Sequence, residues 1–227
     1  MTEPFDDEMT LDPPGSIAVV GAGALGLEAG LYGRFLGYHV TVFESGEIGQ
    51  NLVPLGAAPP PVLPDQCLSP LALSALAAQR QADTDATVTL PTTTDQWVNE
   101  HLSRLAETDL LRDRVLTHQH VRSLTTISVE AEEQGEDTSD LPPDFELEIE
   151  PESRVLERRR FEAVVLAIGG GGDLRLDIEL PFPYLFRIGG SQLDNASDLL
   201  QGRQQIVEIF ASLAGRSDLD LYRPKRV

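Results

Sequence analysis

Gly21, Gly23 and Gly26 form a Gly-x-Gly-x-x-Gly run, and Glu44 follows eighteen positions after the last of them. These are the residues whose types and spacing could do chemistry. Gly21 lets the chain turn sharply, Gly23 lets backbone approach a pyrophosphate closely, and Gly26 lets a helix pack tightly on a sheet. With Ala22, Ala24 and Leu25 between them, the turn would present backbone N–H groups to phosphate at the positive end of a helix. A carboxylate at Glu44, with Ser45 beside it, would accept hydrogen bonds from ribose hydroxyls. It would also repel a 2′-phosphate, so NADP is disfavoured.

A lone glycine run of this kind is weak evidence of a site, and its setting strengthens it. Residues 16–20 (SIAVV) read as an apolar strand, 24–36 as a helix, and 38–44 as a second strand ending on Glu44. Gly30 and Gly33 share a helix face with Gly26. Three glycines there cost roughly 1 kcal/mol each in helix propensity, which close contact between helix and sheet would offset. The context makes this a dinucleotide site.

The other elements must position that turn. A long irregular stretch over residues 46–70 carries Pro54, Pro59, Pro60, Pro61, Pro64 and Pro70 and excludes a regular helix or central strand. Residues 71–81 read as a helix. Asp95 is a candidate N-cap for a second helix over 96–106, with Trp97, Val98, Leu102 and Leu105 apolar and His101 on the polar, surface side. Residues 115–124 read as one strand with His118 and His120 on one face. No further ligands accompany that pair, so no metal site is expected. The acidic residues 130–144 read as a hairpin tip between strands 145–149 and 153–161. Arg158, Arg159 and Arg160 read as an exposed strand neutralising nearby carboxylates. The apolar run 163–168 suits a central parallel strand and ends in Gly169. Residues 184–188 form another strand, closed by Gly189 and Gly190. A last helix over 197–214 carries Leu199, Leu200, Ile206, Val207, Phe210 and Leu213 as its apolar stripe.

The 227 residues suffice for one large domain. The reading divides them into an acidic leader (1–15), a domain (16–215) and a basic, mobile tail (216–227). Hydrophobic residues make up 41% and charged residues 24%, as in ordinary globular proteins. The net charge of −20 argues against nucleic acid and anionic membrane surfaces as partners. The single cysteine, Cys67, excludes an intrachain disulfide and a Cys-x-x-Cys redox pair, and a buried small hydrophobe is its default role. No secretory signal pattern or apolar run of about 18 residues is present, which implies a cytoplasmic protein.

The order of fingerprint, Glu44, Pro-rich loop, strand ending in Gly169, and strand ending in Gly189-Gly190 resembles the FAD-binding half of flavoproteins with two dinucleotide-binding domains. These are the glutathione-reductase-like and FAD-dependent monooxygenase-like oxidoreductases. The resemblance implies an α/β, Rossmann-like FAD/NAD(P)-binding domain with a parallel central sheet and a β-hairpin or meander insertion. It implies that Gly21, Gly23 and Gly26 hold the pyrophosphate and Glu44 the adenosine ribose. Val121 would touch the adenine through its backbone, while Ala167, Gly169, Gly189 and Gly190 would approach the rest of FAD. Ile168 stands where the group usually has Thr, and Gly190 where it usually has Asp, with Ser191, Gln192 or Asn195 as substitute donors. Only about fifteen residues separate Gly169 from Tyr184, where the group usually carries its nicotinamide domain.

The expectation is a flavoprotein oxidoreductase without its own nicotinamide site, served by a small-molecule substrate or a separate electron donor. A non-catalytic FAD- or NAD-binding sensor or assembly subunit is the alternative, and NAD suits Glu44 as well as FAD does. No catalytic acid, base or nucleophile stands out.

Overall fold

The computed structural model describes residues 10–79, 88–127, 144–169, 173–190 and 196–223. Strand β1 (Ser16–Val20) leads through the glycine turn into helix α1 (Ala24–Phe35) and back through β2 (His39–Phe43). β1 is paired in parallel with β2 on one side and with β7 (Ala163–Leu166) on the other. β3 (Val115–Leu116) extends the sheet beyond β2, and β9 (Leu185–Arg187) extends it beyond β7, giving the order β3-β2-β1-β7-β9. Ile17, Ala18 and Val19 of β1 have no exposed surface, as expected for a strand covered on both faces.

A second sheet has the order β6-β5-β4-β8, formed by β4 (Gln119–Ile127), β5 (Asp144–Pro151), β6 (Glu157–Phe161) and the short β8 (Arg175–Leu176). Its period is two. Phe145, Leu147 and Ile149 of β5 are buried, while Glu146, Glu148 and Glu150 alternate onto the wetter face. Arg158 bridges Glu146 at 3.3 Å and Glu148 at 3.8 Å across the strands. The parallel α/β core with an antiparallel meander is the fold class the sequence implies.

Helix α1 is buried on nearly every side because it lies between the sheet and two further helices, α2 (Pro70–Ala78) and α5 (Ala196–Leu213). A Cβ on Gly30 would come within 2.9 Å of Val42 Cγ2, and one on Gly33 within 2.8 Å of Val40 Cγ2 and 3.0 Å of Phe210 Cε1. The glycine face of α1 therefore sits directly on β2.

A buried polar cluster fastens α1 to its neighbours. Glu28 Oε2 accepts from the hydroxyl of Ser69, the N-cap of α2, at 2.7 Å, and Oε1 accepts from the Ser69 N–H at 3.1 Å. Arg203 of α5 donates to Glu28 Oε1 at 3.2 Å and to the carbonyl of Gln66 at 2.8 Å. This cluster anchors the end of the Pro-rich loop, which has no regular structure beyond 3-10 turns at Val53–Leu55 and Pro64–Gln66. Cys67 is buried at the same place, and burial pushes its thiol up to about 12. We expect a thiol reagent near pH 8 to leave the native protein untouched and to label one thiol after denaturation, because the thiolate is the reactive form. Labelling of the native chain at the denatured rate would contradict this.

Several sequence expectations change. The strand expected over 115–124 breaks at His118, whose φ of 54° sends β3 into one sheet and β4 into the other. Residues 130–143 lie outside the described residues, and the strands flanking them are β4 and β5. β5 and β6 do pair, but around the short connection after Pro151. The N-cap of the 94–106 helix is Thr93, whose side chain accepts from the Gln96 N–H, rather than Asp95. That helix runs as α3 (Thr94–Gln96), a wide π turn (Trp97–Leu102) and α4 (Ser103–Ala106). His101, expected on the surface, is only 4% exposed, because it lies four residues after Trp97 and four before Leu105, on the apolar face of the helix. On α5, Leu199, Ile206, Phe210 and Leu213 are buried, whereas Leu200 is 48% exposed because it points about 100° away from Leu199.

Residues 1–9 of the acidic leader lie outside the described residues, and the described segments next to both ends pack on the domain. Leu11 is buried, with its N–H bonded to the Leu213 carbonyl at 2.8 Å. After α5, the Leu221 N–H donates to the Tyr32 hydroxyl at 3.0 Å, and the Tyr222 ring stands edge-on to Tyr32 at 5.3 Å. Residues 224–227 lie outside the described residues, and no described helix is long and apolar enough to cross a membrane.

Candidate functional site

The order of the first sheet reverses direction at β1, with β2 to one side and β7 to the other. A parallel sheet opens a crevice at such a point, beyond the carboxyl ends of its strands. Here a cleft of about 630 Å³ runs across the ends of β2, β1, β7 and β9. Its size falls within the roughly 300–1,000 Å³ of small-molecule and cofactor sites.

Most residues singled out from the sequence meet there. Gly21, Gly23, Ala24 and Leu25 line the centre. Glu44, Ser45 and Val121 line the β2 side, and Ala167, Gly169, Gly189 and Gly190 line the β7 and β9 side. Ala22 and Gly26 do not line the cleft, and each has a supporting position. Ala22 is fully buried, and its N–H donates to Glu44 Oε2 at 2.7 Å. Gly26 lies beneath the turn, where a Cβ would stand 1.9 Å from the Gly21 carbonyl oxygen.

The three fingerprint glycines therefore differ in kind. Gly21 has a φ of 105°, and its would-be Cβ meets the Ala167 carbonyl oxygen at 2.7 Å. Gly26 is demanded by the same close packing. Gly23 has an ordinary extended backbone at the N-cap of α1, and a Cβ there would meet only Asn51 Oδ1, at 3.5 Å. The fold does not need a glycine at 23. The space a side chain would occupy belongs to the cleft.

Glu44 organises the turn as well as facing the cleft. Besides the Ala22 N–H, its Oε1 accepts from the Gly46 N–H at 3.0 Å and the Ser45 hydroxyl at 3.2 Å. On the opposite side, Gly189 has a φ of 74°, and its N–H donates to Gln205 Oε1 of α5 at 2.8 Å. Arg187 donates to the Gly169 carbonyl at 2.8 Å, tying the ends of β7 and β9 together. Ser191, Gln192 and Asn195 lie outside the described residues.

Sequence reasoning left the residues of two contributions to the cleft unassigned. The Pro-rich loop supplies Gln50, Asn51, Leu52, Pro54 and Leu55 to the cleft wall. Its irregularity was legible, but which of its residues turn inward was not. The second is a pair of titratable side chains, His120 and Asp173. His120 Nε2 lies 2.6 Å from Asp173 Oδ1, and Arg122 Nη1 donates to Asp173 Oδ2 at 2.9 Å. The His120 hydrogen bond holds the Asp173 carboxyl below the usual carboxylate range. His118, grouped with His120 in the sequence, instead contacts Glu47 at 3.0 Å. The described residues contain no group of three or more His, Cys, Asp or Glu side chains able to hold a metal ion.

No protein-family model and no curated protein matches the chain. Solved structures do match. S-allyl-L-cysteine S-oxygenase from Allium sativum is 17% identical with a TM-score of 0.45, over 68% of this chain and 36% of that one. OTEMO in an FAD-bound form is 15% identical with a TM-score of 0.44, over 70% and 26%. Bacillithiol disulfide reductase from Bacillus cereus is 16% identical with a TM-score of 0.43, over 68% and 40%. The match thus spans about a quarter to two-fifths of the length of these proteins.

Proposed function

We propose that the chain is an FAD-binding oxidoreductase domain that receives electrons from a small-molecule substrate or a separate donor protein. The observation that carries this reading is the open space at Gly23, in a cleft continuous from Glu44 to Gly190. A cradle that the fold leaves vacant beside a helix N-terminus suits a pyrophosphate, because the N–H groups of a first helical turn lack intrahelical acceptors. In this reading the first turn of α1 and Gly23 hold the phosphates. Glu44 takes the adenosine ribose, and the Val121 backbone lies beside the adenine. Gly169, Gly189 and Gly190 leave room for the remainder of the dinucleotide. FAD is favoured over NAD because the glycine-bounded space extends across β9. FAD would supply the electron-transfer chemistry, and the protein would bind, orient and shield it.

One observation favours a non-catalytic sensor or assembly subunit instead. The described residues at the β9 end of the cleft, Ile188, Gly189 and Gly190, include no titratable side chain. A visible spectrum of the purified protein tests the main reading first. A yellow protein that releases FAD on denaturation supports it, and a colourless protein that binds NAD but not added FAD overturns it. Reduction of the bound flavin by a substrate or donor then separates the enzyme from the subunit. Glu44→Ala is expected to weaken dinucleotide binding about tenfold or more, the loss of a hydrogen-bonded charged acceptor, as read by titration calorimetry. Unchanged affinity would remove Glu44 from the site.

A further inference from the structure

On the β2 side of the cleft, the wall beyond Glu44 and Ser45 is made by Gln119, His120 and Val121 of β4 and by Asp173 and Leu174. A dinucleotide with its phosphates at Gly23 and a ribose at Glu44 would place its adenosine end against this wall. Two basic side chains converge on the Asp173 carboxylate of this wall, His120 of the wall on Oδ1 and Arg122, which stands behind the lining residues, on Oδ2. Arg122 sits at a β-bulge between Val121 and Ser123, a feature that re-aims side chains. Its Nε is bonded separately to Glu150 Oε2. Arg122 is therefore held in place without Asp173, and its Nη1 lies 3.4 Å from His120 Nε2.

Convergent Arg and His donors are the usual seat of a phosphate. Here the chain fills that seat with its own carboxylate. We propose that Asp173 is a specificity determinant of the cleft: by occupying His120 and Arg122 it denies them to a ligand phosphate, so the adenosine end accepts an unphosphorylated ribose and rejects one bearing a 2′-phosphate. Glu44 and Asp173 then set two acidic side chains on the adenosine side of the cleft. Discrimination comes from a repulsive element as much as from attraction. The inference rests on the dinucleotide reading and applies to FAD-like and NAD-like ligands alike, since both share the unphosphorylated adenosine half.

Titration calorimetry on the full chain, freed of any co-purified nucleotide, with ADP-ribose and 2′-phospho-ADP-ribose tests it. The Asp173 side chain is 66% exposed, so substitutions there leave the fold intact. The unmodified protein is expected to bind ADP-ribose at least about tenfold more tightly than its 2′-phosphate, the scale of one charged hydrogen bond. Asp173→Ala should tighten binding of the 2′-phosphate about tenfold while leaving ADP-ribose within about twofold, and adding Arg122→Gln should reverse the gain. If ADP-ribose binds but discrimination is absent, or is unchanged by Asp173→Ala, the proposal fails and the dinucleotide reading stands. If neither compound binds the unmodified chain, the dinucleotide reading itself fails.

Discussion

Gly23→Val is expected to leave the chain folded and to abolish dinucleotide binding, whereas Gly26→Ala is expected to prevent folding. The two positions belong to one motif, and their surroundings are opposite. A Cβ at 23 enters the cleft and meets only Asn51 at 3.5 Å. The backbone there is extended, so an L-residue costs nothing in strain. The valine methyl groups would instead occupy the space proposed for the pyrophosphate, with a loss of affinity of about a hundredfold or more, since close approach of backbone to phosphate is what the glycine allows. At 26 a Cβ would stand 1.9 Å from the Gly21 carbonyl oxygen. Neither β1 nor α1 can yield, and overpacking of this kind costs about 3 kcal/mol or more. Circular dichroism and thermal melting report the fold, and calorimetry reports the binding. A folded Gly23→Val protein that binds FAD or ADP-ribose as before would mean that the cleft at α1 is not the phosphate site. A Gly26→Ala protein of unchanged melting temperature would contradict the packing described.

Arg203→Met is expected to destabilise the fold by about 3–5 kcal/mol, the cost of leaving a buried charge unpaired. The Glu28 and Arg203 side chains are 3% and 10% exposed, so solvent screens the pair little. Without Arg203, Glu28 loses its one cationic partner while keeping the Ser69 N–H and hydroxyl as donors, and the Gln66 carbonyl loses its partner. For a chain of this size the loss corresponds to a fall in melting temperature of roughly 6–20 °C. Removing both charges, in Glu28→Leu with Arg203→Met, should recover a substantial part of it, because two apolar side chains leave no buried ion. A double variant no more stable than Arg203→Met alone would show that the carbonyl contacts, rather than the ion pair, hold the loop.

How much was legible depends on the range of each interaction. β1, α1 and β2 follow from apolar runs and a glycine turn within thirty or so residues, and the structure keeps them almost to the residue. Glu44 reaches the turn because the ends of adjacent parallel strands lie side by side. The segment from 115 to 124 misled because the polar run Thr117–His120 between apolar ends carries no turn residue such as Gly or Pro, while the positive φ of His118 that divides it between two sheets leaves no mark on hydropathy. His101 misled for a different reason. Its polarity suggested the surface, but its spacing from Trp97, Val98 and Leu105 places it on the apolar face of that helix, where it is buried.

The sequence by itself determined the glycine turn, the helix it opens, the acidic end of β2 and the shortness of the segment between Gly169 and Tyr184. These follow from residue type and spacing, which local backbone geometry constrains directly. Only the tertiary structure decided that His120 and Asp173, 53 positions apart, meet on one wall of the cleft, and that Glu28 and Arg203, 175 positions apart, share a buried site. It also decided which fingerprint glycine faces the cleft and which two the fold consumes. Such pairings depend on strand order, on a bulge and on how closely α1 approaches its sheet, and none of these is encoded in a periodic pattern.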